Sequence, residues 1–411
     1  MVPWSRPPVD LDKRLVSLDA WRGFIMLVLV SGTYTEFTEG FGFAEVSRLR
    51  PDSAVWRFLA TQFSHAPWSG CTFWDLVMPA FVFMAGVAMP YSYAAGIARG
   101  DSRGALVLHA AYRAVMLIFI GTLGFLFVGD WLMGKWPRQI NLQFQGILPQ
   151  LGFAYVPVFL LLGRKASVQL AAAFAALAAW WFLFALYPLP APGFDYASVG
   201  GMSEPYTGFF AHWNKNVNPA AAFDHWFLNL IPRTDPFDYN PFGLSTLAFI
   251  PTMATLTFGV VTGEFLRGPG EPAWKAGRLV AAGLAGVAIG VAMHFTLRPI
   301  VKSIWTPSRA LFSAGWVLLM LAAFFWVIDV KRDVKRARRW SLPLVVVGMN
   351  AIAIYCLANL FDYWVFKLWQ HSPAGFLFEG AYAAMWQSLA MVVTLWAVAA
   401  VLYRFRIFVR L

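Results

Sequence analysis

Residues 76–98 read LVMPAFVFMAGVAMPYSYAAGIA, twenty-three consecutive positions without a charged side chain. At 1.5 Å per residue such a helix extends roughly 34 Å, enough to cross the roughly 30 Å hydrocarbon layer of a bilayer. Eight further charge-free runs follow the same pattern. They lie at Ala114–Gly129, Gln139–Gly163, Ala166–Phe194, Tyr239–Gly263, Leu279–Leu297, Ala310–Ile328, Trp340–Phe361 and Gly380–Tyr403. Gly23–Thr35 becomes long enough once Asp19 and Arg22 are taken in, and Ala114–Gly129 once it extends back past Arg113. The reading is an all-α, polytopic membrane helical bundle of about ten transmembrane helices, a single domain over residues 1–411.

Composition agrees. Of the 411 residues 59% are hydrophobic and 13% charged, against about 25% charged in a soluble domain. Disorder is excluded, and two cysteines, Cys71 and Cys356, cannot form a disulfide scaffold. The net charge of +11 would suit nucleic acid, but its distribution says otherwise. With the N-terminus inside, 21 of the 32 Lys and Arg fall on one side. They cluster before Gly23, at Arg99–Arg113, Arg164–Lys165, Arg267–Arg278 and Lys331–Arg339, and after Tyr403. This positive-inside asymmetry puts both termini in the cytoplasm and leaves no nucleic-acid footprint. The run Lys331–Arg339 reads as a contact for anionic head groups, with the phosphates of a cytosolic co-substrate as the alternative. Charges at Arg6, Asp10, Asp12, Lys13 and Arg14, with no apolar stretch before the first span, read as an uncleaved first helix. No Asn-x-Ser/Thr sequon occurs, which favours a bacterial inner membrane.

Two outer segments exceed turn length, Thr38–Cys71 and Pro188–Tyr239. Loops this long are functional or disordered. The aromatic content of the second points to an ordered cap over residues 188–242. There Trp213 offers a face for a sugar ring, while Asn214, Asn218 and Asp224 could bond its hydroxyls; a purely structural cap fits equally well.

Ionisable groups within spans are costly and draw attention to function. The densest set runs from His65 through Pro67, Trp68 and Thr72 to Asp75. Pro67 suits the first turn of a helix. A helix starting there would align Trp68, Thr72 and Asp75 on one face below His65, with Asp75 roughly 12 Å down. Asp19 and Arg22, three apart, read as an ion pair. Ser31 lies in the outer half of the first span, and Asn350 near the middle of the ninth. Thr306, Ser308 and Arg309 fall in an outer loop. The histidines and acids show no metal-ligand spacing, and neither a P-loop nor a dinucleotide fingerprint is present. No internal repeat of fixed period supports a transporter built from inverted halves.

These blocks together resemble a known family. Arg14-Leu-Val-Ser-Leu-Asp-Ala-Trp-Arg-Gly23 resembles the opening motif of the heparan-α-glucosaminide N-acetyltransferase family of multi-spanning acyltransferases. His65-Ala-Pro-Trp-Ser-Gly70 followed by Asp75–Gly86 is similar to its next block. Gln145–Gln150, Ile304–Ser308 and Gly348–Tyr355 resemble later blocks in the expected order, so the likeness runs from Arg14 to about Tyr363. The loop from His212 to Arg233 looks like a bacterial branch of undefined function, some of whose relatives are labelled sugar transporters. The resemblance implies acetyl transfer from cytosolic acetyl-CoA to an amine or hydroxyl of a sugar across the membrane, and a homodimer. It maps the family's catalytic histidine onto His65. Ser31 stands where the animal enzymes have Asn, a shorter side chain without the amide.

On this reading His65 is the base or acyl carrier, since imidazole titrates near neutrality. Asp75, Ser31 and Asn350 orient it, polarise the thioester or hold the pantetheine arm. Arg22, Arg113 and Lys275 are candidate contacts for the phosphates of acetyl-CoA, and Trp68, with the cap residues, for the acceptor. The competing reading is a sugar transporter that acylates nothing.

Overall fold

Local chemistry sets where the helices begin. Ser53, Ser102 and Asn218 each precede a helix, and their side chains accept from N–H groups of its first turn. Proline, which needs no N–H there, follows the Asn218 cap as Pro219 and opens two other helices at Pro272 and Pro307. The computed structural model describes residues 15–32, 39–132, 134, 141–297, 299–331 and 334–409. The charges from Arg6 to Arg14, and Arg332 and Asp333 of the basic run, lie outside these. The helices are α1 (Val16–Val30), α2 (Phe43–Leu49), α3 (Ala54–Gln62), α4 (Val77–Ala98), α5 (Arg103–Phe119), α6 (Phe125–Leu132), α7 (Ile147–Leu161), α8 (Ala166–Ala185), α9 (Pro219–Leu230), α10 (Phe249–Arg267), α11 (Pro272–Thr296), α12 (Pro307–Phe325), α13 (Val334–Gly348), α14 (Ala351–Gln370) and α15 (Ala383–Arg404). Among the described residues the β-pairing is a single isolated bridge between Ser69 and Val301.

The helical membrane bundle expected from the sequence is therefore observed. Among the described residues eight helices have the length and apolarity to span, those built on α4, α5, α8, α10, α11, α12, α14 and α15. The other two of the ten expected segments form α1 and α7, apolar helices of 15 residues each. At 1.5 Å per residue these extend roughly 22 Å.

Without a hydrophobic driving force between helices in lipid, close backbone approach is what holds spans together, and small residues permit it. The innermost pair, α4 and α10, meets at Gly86, Gly259 and Gly263. A Cβ on Gly86 would lie 2.1 Å from Leu256 O, and one on Gly259 would lie 2.2 Å from Phe83 O. A second seam joins α1 to α13, where Cβ atoms on Gly23 and Gly348 would each fall 1.8 Å from a carbonyl oxygen, of Leu344 and Asp19 respectively.

Two boundaries differ from the sequence reading. The expected span 340–361 is broken, because α13 ends at Gly348 and α14 starts at Ala351. The fully buried Asn350 between them donates to Ile407 O (3.1 Å) and accepts from Val409 N (3.0 Å), so it pins the segment after α15. The second expected span begins not at Pro67 but with a 3₁₀ turn at Trp74–Leu76. Residues 64–73 instead wrap around the Asp75 side chain. Helix alternation gathers Arg99, Arg164, Lys165, Lys275 and Arg278 at one end of the bundle, the basic end, and places the His65 loop and residues 186–245 at the other.

Replacing Gly23 or Gly348 by leucine is expected to force α1 and α13 apart at a cost of about 1–3 kcal/mol each, as overpacking does. Thermal midpoints in detergent should fall for both single variants and less than additively for the double, since they share one contact. Unchanged midpoints would show that this seam is dispensable.

Candidate active site

A carboxylate that is almost sealed from solvent must find donors, and Asp75 finds them in the loop before it. Its residue is 1% exposed. Oδ2 accepts from Ala66 N (3.1 Å) and Thr72 N (3.2 Å) and lies 3.2 Å from Thr72 Oγ1, whose one proton goes to Ser64 O (2.7 Å). Oδ1 receives His65 Nδ1 at 2.8 Å. A carboxylate only accepts, so Nδ1 carries a proton, and in the neutral ring the lone pair is on Nε2. The His65 side chain remains 43% exposed at this end of the bundle.

Three further charges complete the cluster. Lys302 Nζ stands against the imidazole, 2.5 Å from Nδ1 and 2.9 Å from Nε2, and 3.2 Å from Asp75 Oδ1. With Nδ1 donating to Asp75, Nε2 is the ring atom that can accept from the ammonium. Burial pushes Lys302 down to about 8 from the usual lysine range, and Asp75 offsets only part of this. Arg309, fully buried, donates to the backbone oxygen of Asp75 (2.6 Å) and approaches Cys71 Sγ at 3.6 Å. Burial pushes the Cys71 thiol upward, so it is no ready nucleophile. Glu39 accepts from His65 N at 2.5 Å.

The loop carrying Lys302 is over-determined. Thr306 Oγ1 accepts from Val301 N (3.1 Å) and donates to Pro299 O (3.1 Å), and Ser308 Oγ also donates to Pro299 O (3.2 Å). Trp180 Nε1 donates to Ile304 O (2.9 Å) and Gly70 N to Ile300 O (2.8 Å), tying the loop to α8 and to the His65 segment. Trp305 is held at φ +47°, in the left-handed region that bulky side chains avoid.

The candidate residues separate into those that meet and those that do not. His65 and Asp75 are in direct contact. Ser31 is one layer away: it donates to Val28 O (2.6 Å) and accepts from Phe41 N (3.2 Å), fixing the segment that bears Glu39. The end of α1 also reaches the site through Gly32, which faces the Trp74 indole beside His65. Asn350 stays with the segment after α15. Arg309, read as a loop residue, sits fully buried in the first turn of α12. Lys302 and Glu39 went unrecognised in the sequence. For Lys302 a signal was available, a cation on the side poor in cations, two residues before the Ile304–Ser308 block.

At the basic end, Lys275 Nζ donates to Leu266 O (2.9 Å) and Gly268 O (2.6 Å), capping α10. Arg22 donates to Asp19 and to Gly348 O, both at 3.4 Å. The Arg113 guanidinium lies 5.1 Å from the centre of the Tyr155 ring.

Residues 186–245 fold over the His65 end, and their polar side chains largely bond one another. Asn214 accepts from Tyr206 N (2.8 Å) and donates to Tyr206 O (3.0 Å); Asn218 caps α9 and donates to Asn214 O (2.8 Å). Trp213 is buried against Phe184, and its carbonyl accepts from Trp68 Nε1 (3.3 Å). Asp224, buried, accepts from Gln145 Nε2 (2.8 Å) and Thr246 N (3.0 Å), and Asn240 Nδ2 donates to Gln145 Oε1 (2.8 Å). These bonds clamp the cap onto α7 and α10. Removing the Asp224 carboxylate with Asp224→Ala strands buried donors, a loss of about 1–3 kcal/mol. Hydrogen exchange should quicken across residues 219–246 and stay unchanged in α4; unaltered exchange in the cap would show that Asp224 does not hold it.

No family model matches the sequence. Heparan-alpha-glucosaminide N-acetyltransferase of Homo sapiens is 24% identical over 400 residues, covering 86% of this chain and 54% of that protein. The Mus musculus protein of the same name is 32% identical over 101 residues, covering 24% of this chain and 15% of its own. The chain thus spans about half the length of the human relative. Its helices, and a likeness that extends over most of its sequence, make it a multi-pass membrane protein homologous to heparan-alpha-glucosaminide N-acetyltransferase.

Proposed function

We propose that this protein transfers an acetyl group from acetyl-CoA to an amine or hydroxyl of a sugar or glycan, with His65 as general base. The observation that carries the reading is the imidazole at the open end of the bundle, its Nδ1 bonded at 2.8 Å to the buried Asp75 carboxylate. The homology to an N-acetyltransferase supports acetyl-CoA as donor.

An acyl transfer needs a base for the incoming nucleophile and a proton for the departing thiolate. Asp75 holds the Nδ1–H tautomer, which leaves Nε2 to take the proton from the acceptor and return it to sulfur. The carboxylate also stabilises the imidazolium formed between these steps. Its five contacts, three of them to the loop itself, prevent His65 from rotating away.

The basic end faces the cytoplasm in this reading, in keeping with the positive-inside asymmetry. The phosphates of acetyl-CoA would approach there, where Arg22, Arg113 and Lys275 lie on three different helices. The acceptor would reach His65 from the opposite side, beneath the cap. A bacterial inner membrane fits this orientation.

In lipid vesicles with labelled acetyl-CoA facing the basic end and a panel of amino sugars opposite, label should appear in the sugar. His65→Ala should abolish transfer without loss of insertion. Asp75→Asn should lower kcat by about 10²- to 10⁴-fold, the usual contribution of positioned acid–base catalysis. Undiminished turnover in His65→Ala would remove the base. Sugar crossing unlabelled, equally in both proteins, would replace the acetyltransferase by a transporter.

A further inference from the structure

The Lys302 ammonium has no assigned role, yet it lies directly against the imidazole that the proposed transfer uses as its base. It is 2.9 Å from Nε2, the ring nitrogen not bonded to Asp75, and its side chain is 17% exposed. Arg309, the other cation here, cannot serve, being fully buried with its guanidinium engaged by Asp75 O and Cys71. Lys302 also rests on a heavily braced loop, with Trp305 strained at φ +47° and Thr306 and Ser308 bonded back onto Pro299. Strain of this kind persists where surrounding contacts over-determine a functional geometry.

We propose that Lys302 is a catalytic residue of this site, its ammonium donating to the oxyanion that develops on the transferred acyl group. This inference rests on the acetyl-transfer reading above. The acceptor nitrogen or oxygen attacks the thioester carbonyl carbon, a new bond forms, and the carbonyl π pair moves onto oxygen. His65 takes the proton from the acceptor. The intermediate collapses, the C=O bond re-forms, and the C–S pair leaves with sulfur, which receives the proton from His65. A carbonyl carbon within about 3–3.5 Å of an attacking atom that is hydrogen-bonded to Nε2 puts its oxygen within reach of Nζ.

The pH dependence follows from the groups facing Lys302. These are His65 and Asp75 on one side, Arg309 from α12, Glu39 from the segment before α2, and Cys71. Burial outweighs the pull of Asp75 and brings the ammonium to about 8. Rising pH through that value removes the proton and the positive charge, so activity should decline on the alkaline side. Arginine, charged beyond pH 12, should abolish this decline.

The test combines kinetics with a probe that needs no acceptor. Lys302→Met should lose about 10²- to 10³-fold in kcat, as for a missing oxyanion donor, with the KM for acetyl-CoA within a few-fold of native. Lys302→Arg should recover most of the rate and lack the decline near pH 8. Diethyl pyrocarbonate, which acylates imidazole through a tetrahedral carbon, should modify His65 at least tenfold more slowly in Lys302→Met, read by mass spectrometry of the His65 peptide, and near the native rate in Lys302→Arg. Native kcat in a folded Lys302→Met protein, or an unchanged alkaline limb in Lys302→Arg, would overturn the role of Lys302 alone. If the native protein transfers no acetyl group while the reagent still separates the two variants, the acetyltransferase reading falls and the electrostatic role at His65 stands.

Discussion

The arrangement of the His65 end depends on one buried carboxylate. Placing a charge beneath a loop and at the head of a membrane span is expensive unless every lone pair finds a donor. Asp75 meets that demand by drawing Ala66 N, Thr72 N, the Thr72 hydroxyl, the His65 imidazole and the Lys302 ammonium toward two oxygens. The same requirement shapes the backbone. Residues 64–73 curl around the side chain instead of forming the first turns of α4, and Arg309 secures the opposite side through the Asp75 carbonyl. Two distant stretches of the chain, residues 65–75 and 302–309, thereby share one cluster, and His65, the more exposed of the dyad, is held with a proton on Nδ1.

Such a cluster needs a rigid floor, and the glycine seams provide it. The α4–α10 contact brings two backbones together beneath the loop, and α12, which carries Arg309, packs against both helices. The α1–α13 seam lies in the bundle interior, while the tip of α1 reaches the site through Gly32 and the Trp74 indole. Helix α1 therefore links the bundle interior to the His65 end: a close-packed glycine at its middle, and Ser31 holding the Glu39 segment at its finish.

The cap relates differently to the site. Its Asn and Asp side chains, read in the sequence as equally suited to sugar contact or to framework, direct their hydrogen bonds inward, onto Tyr206, Thr246 and Gln145. Burying a polar network is tolerable when its members are satisfied, and it then specifies one arrangement. The cap is accordingly an ordered roof, joined to the site through the Trp68–Trp213 contact.

Hydropathy and charge placement were sufficient, from sequence alone, to determine an all-helical membrane bundle, because the cost of unpaired backbone groups in lipid leaves helices as the solution for long apolar runs. The motif around His65 likewise singled out His65 and Asp75 as candidate site residues, with the role of Asp75 left open. The geometry of their meeting was decided by tertiary structure: a helix from Pro67 would have separated them along one face, whereas donors offered by the loop and by Lys302 favoured a wrapped turn. Lys302 lies 237 residues from His65, and no periodicity reports a contact of that range. Asn350 carried the converse lesson, since an amide between two helices is equally suited to a catalytic site and to a chain terminus. Burial and hydrogen-bond demand, which exist only once the helices have packed, assigned it to the segment after α15.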